Sequence, residues 1–344
     1  MPVQDARPPE ADDGPDGSVA ARRKRSGWLP VGLLGGVLIV CEIVLRILMG
    51  NFSVMDLTVS DPGDGRCVGL RPDISVDYSG FLWRIPTVQH DVNNLGYRGP
   101  QRPHAKPPGT FRIALLGDSF VYGQGVQSDE TISAYLEQEF RSRETSLSVE
   151  VLNFGIIGLN LDEYLDQYEH FASRWNPDLV LVFPFTNDLE PPMCRWAGEV
   201  RFPMWLARHV YLTRLIVFPA HYYYVTRMRA PDAKHPEDRF RIGMKRLLDA
   251  IRERKALPGV VLLGDPVSAE VWRSHEEEPP LDIAKILDRR GSPWLDGRAW
   301  LRPEAGKPEL PTIPKEGHFT PESHQVIARS IADWLITSGL FPSR

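Results

Sequence analysis

The chain has 344 residues, 42% hydrophobic and 25% charged, which is enough for a core and excludes a wholly disordered or collagen-like polymer. With 40 Lys plus Arg against 45 Asp plus Glu, the formal charge of −5 argues against a general nucleic-acid coat, which needs a dominant basic face. Three cysteines, Cys41, Cys67 and Cys194, are too few and too scattered for a disulfide framework or a zinc cluster.

Residues 1–26 contain four prolines, no aromatic residue and an acidic stretch followed by the basic run Arg22, Arg23, Lys24, Arg25. Such a composition buries too little apolar surface to offset the entropy of ordering, so a disordered tail is predicted. Residues 27–49 are apolar apart from Glu42 and Arg46, and as a helix residues 28–49 reach about 33 Å, enough to cross a hydrocarbon core of about 30 Å. Glu42 and Arg46 lie four apart, so they can pair on one helix face. An uncleaved transmembrane anchor is the preferred reading. A cleaved signal peptide with residues 29–41 as its apolar region is the alternative, opposed by the long acidic tail and the lack of a clear small-x-small cleavage site. The basic run ahead of the span keeps the tail in the cytoplasm and sends everything after Gly50 across the cytoplasmic membrane. There Cys67 and Cys194 either form one disulfide or remain two small apolar side chains.

Residues 50–110 are turn-rich, with only short strand-like pieces, and read as a stalk and pre-domain draped over a main domain at residues 111–340. Short apolar β-prone runs at 112–116, 149–154, 179–183 and 260–263 then alternate with helical patterns at 131–142, 161–175, 205–229 and 237–255. Alternation of this kind predicts an α/β fold with a mostly parallel sheet covered on both faces. Residues 293–295 read as a last edge strand, and 321–337 as a closing helix with Thr320 as N-cap and Pro321 at its first position. The aromatic-rich stretch 203–228 reads as a helical hairpin packed on the sheet, with a lid as the alternative.

Ligands of such sheets sit beyond the carboxyl ends of the strands. Gly117-Asp118-Ser119 follows the first run there, Asn153-Phe154-Gly155-Ile156-Ile157-Gly158 the second, and Thr186-Asn187-Asp188 the third; Glu316-Gly317-His318 precedes the closing helix. A serine at a strand-to-helix turn presents its hydroxyl and its own amide to the crevice. Gly158 permits close approach of a substrate to its N–H, and the Asn187 side-chain amide donates from the other side, giving three donors for an oxyanion. His318 supplies a base for Ser119, and Glu316 an acceptor that fixes the imidazole tautomer. Each signal alone is an ordinary turn. The other histidines, His90 among them, read as surface or half-buried residues, with His170 on a helix face and His324 in the first turn of the last helix.

The order of the four pieces resembles the SGNH hydrolase superfamily, also called GDSL esterases and lipases, over residues 111–340. The resemblance implies a three-layer, flavodoxin-like α/β/α fold, Ser119 as nucleophile, His318 as base, and the Ser119 amide, Gly158 and Asn187 as oxyanion hole. The segment from Val92 to Gly99 looks like the lead-in of membrane-anchored members. Two departures stand out: Phe185 replaces the usual glycine of the third block, and Glu316 stands where the triad acid is usually Asp. The extra methylene of Glu316 needs a shifted backbone or a different acid, with Asp296 in reserve. The implied activity is ester hydrolysis through an acyl-enzyme outside the cytoplasmic membrane, on an acylated glycan or lipid. O-acyl transfer to an envelope polysaccharide and a non-catalytic binding domain are the alternatives. No cofactor or metal motif and no nucleic-acid signal is present, and the oligomeric state is left open.

Overall fold

In the computed structural model the described residues are 28–48, 57–60, 63–64, 66, 68–78, 87–143, 145–185, 188, 206, 209–215, 236–263, 287–288, 291–297, 312–314 and 316–342. Two compact units are present, Met1–Leu45 and Arg46–Arg344. Within the first, helix α1 (Trp28–Leu48) begins. Its stretch Pro30–Leu48 is long and apolar enough to cross a membrane, and Leu33, Leu34 and Ile39 are exposed along it.

Five strands of the second unit form one parallel sheet. They are β5 (Thr110–Leu116), β6 (Ser148–Asn153), β7 (Leu179–Val182), β8 (Leu257–Leu262) and β9 (Trp294–Asp296), in the order β6-β5-β7-β8-β9. Successive side chains of a strand point to opposite faces, so this sheet needs apolar cover on both. Ile113 and Leu115 of β5 join one cluster, with Leu136 and Phe140 of α3 (Ile132–Ser142) and Ile327 and Ile331 of α6 (Pro321–Thr337). Ala114 and Leu116 join the other, with Tyr164 and Leu165 of α4 (Leu161–His170) and Met244 and Leu248 of α5 (Pro236–Glu253). The result is a three-layer α/β/α fold of flavodoxin-like strand order, whose switch point falls beside β5. The four-residue helix α2 (Ser119–Tyr122) starts there.

The predicted runs coincide with strands, and β9 is the expected edge. Thr320 caps α6, accepting from the Ser323 amide at 3.4 Å. The pattern at 161–175 is interrupted: Phe171 (φ −133°, ψ −65°) ends α4, and residues Ala172–Trp175 tighten into a 3-10 turn that buries Ala172 and Trp175.

The described residues between 57 and 100 carry more structure than their turn-rich text suggests. Strands β1 (Thr58–Ser60) and β2 (Val68–Leu70) pair antiparallel, as do β3 (Ile74–Tyr78) and β4 (Val88–Val92). Leu57, Val68, Leu70, Val92 and Tyr97 belong to the same apolar cluster as Leu152 and Trp175, so this segment completes the main core. Arg98 bridges Val92 on one side and Asn153 of β6 on the other. The tail at 1–26, Cys67, Cys194, and all of the 203–228 stretch except residues 206 and 209–215 lie outside the described residues. Of that stretch, residues 211–215 are helical.

Candidate active site

Strand β5 delivers the chain to a sharp turn that its sequence is suited to make. At Gly117 a Cβ would lie 2.3 Å from Val121 Cγ2, so only glycine lets α2 fold back against the strand. Asp118 caps α2, its Oδ1 accepting the Phe120 amide at 3.0 Å. Ser119 is therefore the first helical residue, where a backbone N–H has no intrahelical acceptor. Gly123, at φ +82°, ends the helix in the left-handed region. The turn after β6 presses on α2 so closely that a Cβ on Gly155 would meet the Tyr122 amide nitrogen at 2.4 Å. Asn153 ties the two together, donating from Nδ2 to the Val121 carbonyl at 2.8 Å and accepting the Gly155 amide at 3.0 Å.

The loop before α6 closes on the same place. Ile313 donates its amide to the His318 carbonyl at 2.8 Å, and Gly317 takes φ +94°, a conformation that turns residue 316 back toward 318. His318 Nε2 lies 2.7 Å from Ser119 Oγ. On its other edge Nδ1 lies 2.8 Å from Glu316 Oε2 and 2.9 Å from Oε1. An ionised carboxylate only accepts, so Nδ1 carries the proton, Nε2 is the acceptor, and the Ser119 hydroxyl donates to it. Glu316 Oε2 also accepts the backbone amide of His318 at 2.9 Å, so the longer side chain is accommodated by curling around its own loop. The His318 ring lies 4.7 Å from that of Phe120, which in turn meets Phe185 at 4.3 Å and Phe319 at 5.0 Å. Phe185 thus packs behind Phe120, the ring that faces the histidine.

Burial alone would raise the Glu316 carboxyl. The hydrogen bonds and charge of His318, with a hydrogen bond from Tyr78, outweigh it and hold the group below the ordinary carboxylate value. The opposite holds for Asp188, which burial and then the nearby Asp118 charge push well above that value.

A profile of the GDSL-like lipase/acylhydrolase family matches residues 115–326, well over half of the chain. The chain belongs to this family. No curated protein sequence matches it. Among solved structures it is similar to a lipase/acylhydrolase from Enterococcus faecalis (14% identity, TM-score 0.45, covering 66% of this chain and 96% of that one). It is also similar to the esterase EstA from a Pseudoalteromonas species (14% identity, TM-score 0.42, covering 67% and 98%). A third similar structure, a two-domain esterase active on acetylated mannans, is matched over 51% of its length and 68% of this chain, at 14% identity and TM-score 0.44.

The chain is thus a GDSL-family hydrolase of ester bonds, and its sequence-predicted residues fall as follows. Ser119, Glu316 and His318 converge. Gly158 lies in the turn after β6 at φ +80°. Asn187 lies outside the described residues; on either side of it, Asp188 Oδ2 accepts the Phe185 amide at 2.8 Å. The reserve acid Asp296 ends β9 opposite Leu262, whereas the carboxylate at His318 Nδ1 is that of Glu316. His90 corrects its expectation: it is fully buried between the Tyr78 and Tyr122 rings, and its Nε2 accepts the Gly125 amide at 3.3 Å. Burial, then the charges of Arg98 and His318, push its pKa down to about 2, so it serves as a neutral acceptor. A period-two strand pattern around Val88, His90 and Val92 carried that signal, because the inward face of β4 is the one bearing the histidine. Among the described residues no group of three or more His, Cys, Asp or Glu side chains is arranged to hold a metal ion.

Proposed function

We propose that the chain hydrolyses carboxylic esters through an acyl-enzyme on Ser119, with His318 as general base and then acid, and Glu316 as the acid that orients it. The observation that carries this reading is the pair of contacts made by one imidazole, 2.7 Å to Ser119 Oγ and 2.8 Å to Glu316 Oε2. His318 takes the hydroxyl proton as Oγ attacks the ester carbonyl. We assign the tetrahedral oxyanion to the Ser119 and Gly158 amides, which follow β5 and β6 beside the switch point, with the Asn187 side chain as third donor. His318 returns the proton to the departing alcohol. Water then attacks the acyl group by the same route, releasing a carboxylic acid and restoring Ser119. Phe120, backed by Phe185, supplies an apolar flank that limits water around the imidazole.

The same reading extends to the whole chain. We divide it into a cytoplasmic tail (1–26), an anchor (27–49), a pre-domain (50–110) and a catalytic domain (111–340), with the substrate an acylated glycan or lipid met outside the cytoplasmic membrane. Support comes from the apolar helix Pro30–Leu48 and the basic run just ahead of it. The full-length protein in detergent is expected to cleave p-nitrophenyl acetate, with Ser119→Ala and His318→Ala each about 1000-fold slower or more. A wild-type rate in Ser119→Ala contradicts the assignment. Products analysed with and without a sugar acceptor separate hydrolysis from acyl transfer.

A further inference from the structure

The carboxylate of Glu316 is held by more than its histidine. Its Oε1 accepts from the Tyr78 hydroxyl at 2.6 Å and from Gln124 Nε2 at 2.8 Å, and Gln124 Nε2 lies 3.0 Å from the Tyr78 oxygen. The three residues come from separate segments: Tyr78 from the end of β3, Gln124 from the turn after α2, and Glu316 from the loop before α6. Tyr78 is 3% exposed and the Glu316 side chain 5%, so water cannot readily replace a lost donor. Burial and then the Glu316 carboxylate push the Tyr78 hydroxyl well above its ordinary value, which keeps it a donor.

The surroundings fix both donors in place. The Tyr78 ring lies 5.0 Å from His90, and His90 accepts the Gly125 amide next to Gln124. Arg98, wholly buried, donates to the carbonyls of Tyr122, Gly123 and Val126 and so clamps the turn that carries Gln124. At Gly125 a Cβ would meet Ile313 Cδ1 at 2.5 Å, which marks how closely this turn approaches the loop of Glu316 and His318.

We propose that Tyr78 and Gln124 are positioning residues of the esterase site, built by the N-terminal hairpin and the post-nucleophile turn to seat a glutamate in place of the shorter aspartate. This rests on the roles given above to Ser119, His318 and Glu316. Two donors on Oε1 fix the rotation of the carboxylate, so that both oxygens face His318 Nδ1 and the Nδ1–H tautomer is maintained. They also draw charge away from the imidazole. Removing one leaves more negative charge opposite Nδ1, which favours the imidazolium, so the acid limb of kcat/KM moves to higher pH.

The test uses the full-length chain in detergent with p-nitrophenyl acetate across pH 5 to 9. Tyr78→Phe keeps the ring and deletes only the donor. It is expected to lower kcat about 10-fold with KM within about twofold, and to raise the acid limb by about half a pH unit, with a melting temperature within a few degrees of wild type. Glu316→Asp, which withdraws the carboxylate by one methylene, should cost a similar factor in the wild type and much less in the Tyr78→Phe background. If Tyr78→Phe retains wild-type kcat and acid limb while Ser119→Ala is inactive, the positioning role is wrong and the catalytic assignment stands. If Ser119→Ala is itself as active as wild type, the underlying assignment fails. A fall in kcat that merely tracks a fall in melting temperature, with the acid limb unmoved, assigns Tyr78 to packing and overturns the proposal.

Discussion

Asp188 and Glu316 are buried carboxyls with opposite pH behaviour. The Glu316 group is held below the ordinary carboxylate value, so its contribution to stability is complete above that value and is lost as pH falls through the lowered one. Asp188 binds its proton more tightly folded than unfolded. As pH rises past about 4 the unfolded chain ionises this group while the folded one resists, and stability declines across that window. Burial is the main cause, and the charges of Asp118 and Glu163 add to it, while the Phe185 amide and Tyr164 favour ionisation. Asp188→Asn keeps an oxygen for the Phe185 amide and abolishes the titration. Urea unfolding at pH 7 is expected to find it as stable as wild type or more so, with a shallower decline between pH 4 and 7; a loss of more than about 1 kcal/mol at pH 7 with an unchanged slope contradicts this. At this scale Ser119 and His318 were legible because each sits in a short motif at the end of a strand or just before a helix. Tyr78 and Gln124 were not, since each is an ordinary residue of its own segment and acquires meaning only through contact with Glu316, 238 and 192 positions away.

Among elements, the hairpin β3–β4 and the segment after it depart furthest from the sequence reading. The central strands were readable as continuous apolar runs because both faces of the sheet are buried. The N-terminal strands are short and offer only a few apolar residues each to the core, and polar groups add to what ties them down: Asn93 shapes the turn by accepting the Leu95 amide and donating to the Gly99 carbonyl, and Arg98 enters the interior. Arg98 makes no ion pair among the described residues; its guanidinium is met by backbone carbonyls and lies 4.7 Å from the Tyr122 ring centroid. Hydropathy places arginine outside, so this contribution is invisible to pattern. Arg98→Met preserves much of the volume and removes the guanidinium donors from three carbonyls, of which that of Gly123 retains the Val126 amide. A loss of about 3 kcal/mol in unfolding free energy is expected, together with reduced kcat through the displaced Gln124 turn. Wild-type stability and activity in Arg98→Met would show that the clamp is dispensable.

For the whole molecule, the fold class followed from the strand-and-helix alternation, and the family followed from the order of four motifs along it. The topology proposed above rests on one helix long and apolar enough to cross a membrane and on its basic flank. In sealed inside-out vesicles, external protease is expected to remove the tail ahead of Trp28 and leave the remainder protected; cleavage of the catalytic domain before detergent is added would reverse the orientation. The esterase chemistry depends above all on the identity of the nucleophile. Its most direct measurement is mass spectrometry of the full-length protein treated with an activated organophosphonate, with the modified peptide sequenced. A single adduct on Ser119, absent in Ser119→Ala and markedly slower to form in His318→Ala, is the result predicted. An adduct on another residue, or equal labelling in Ser119→Ala, would contradict it.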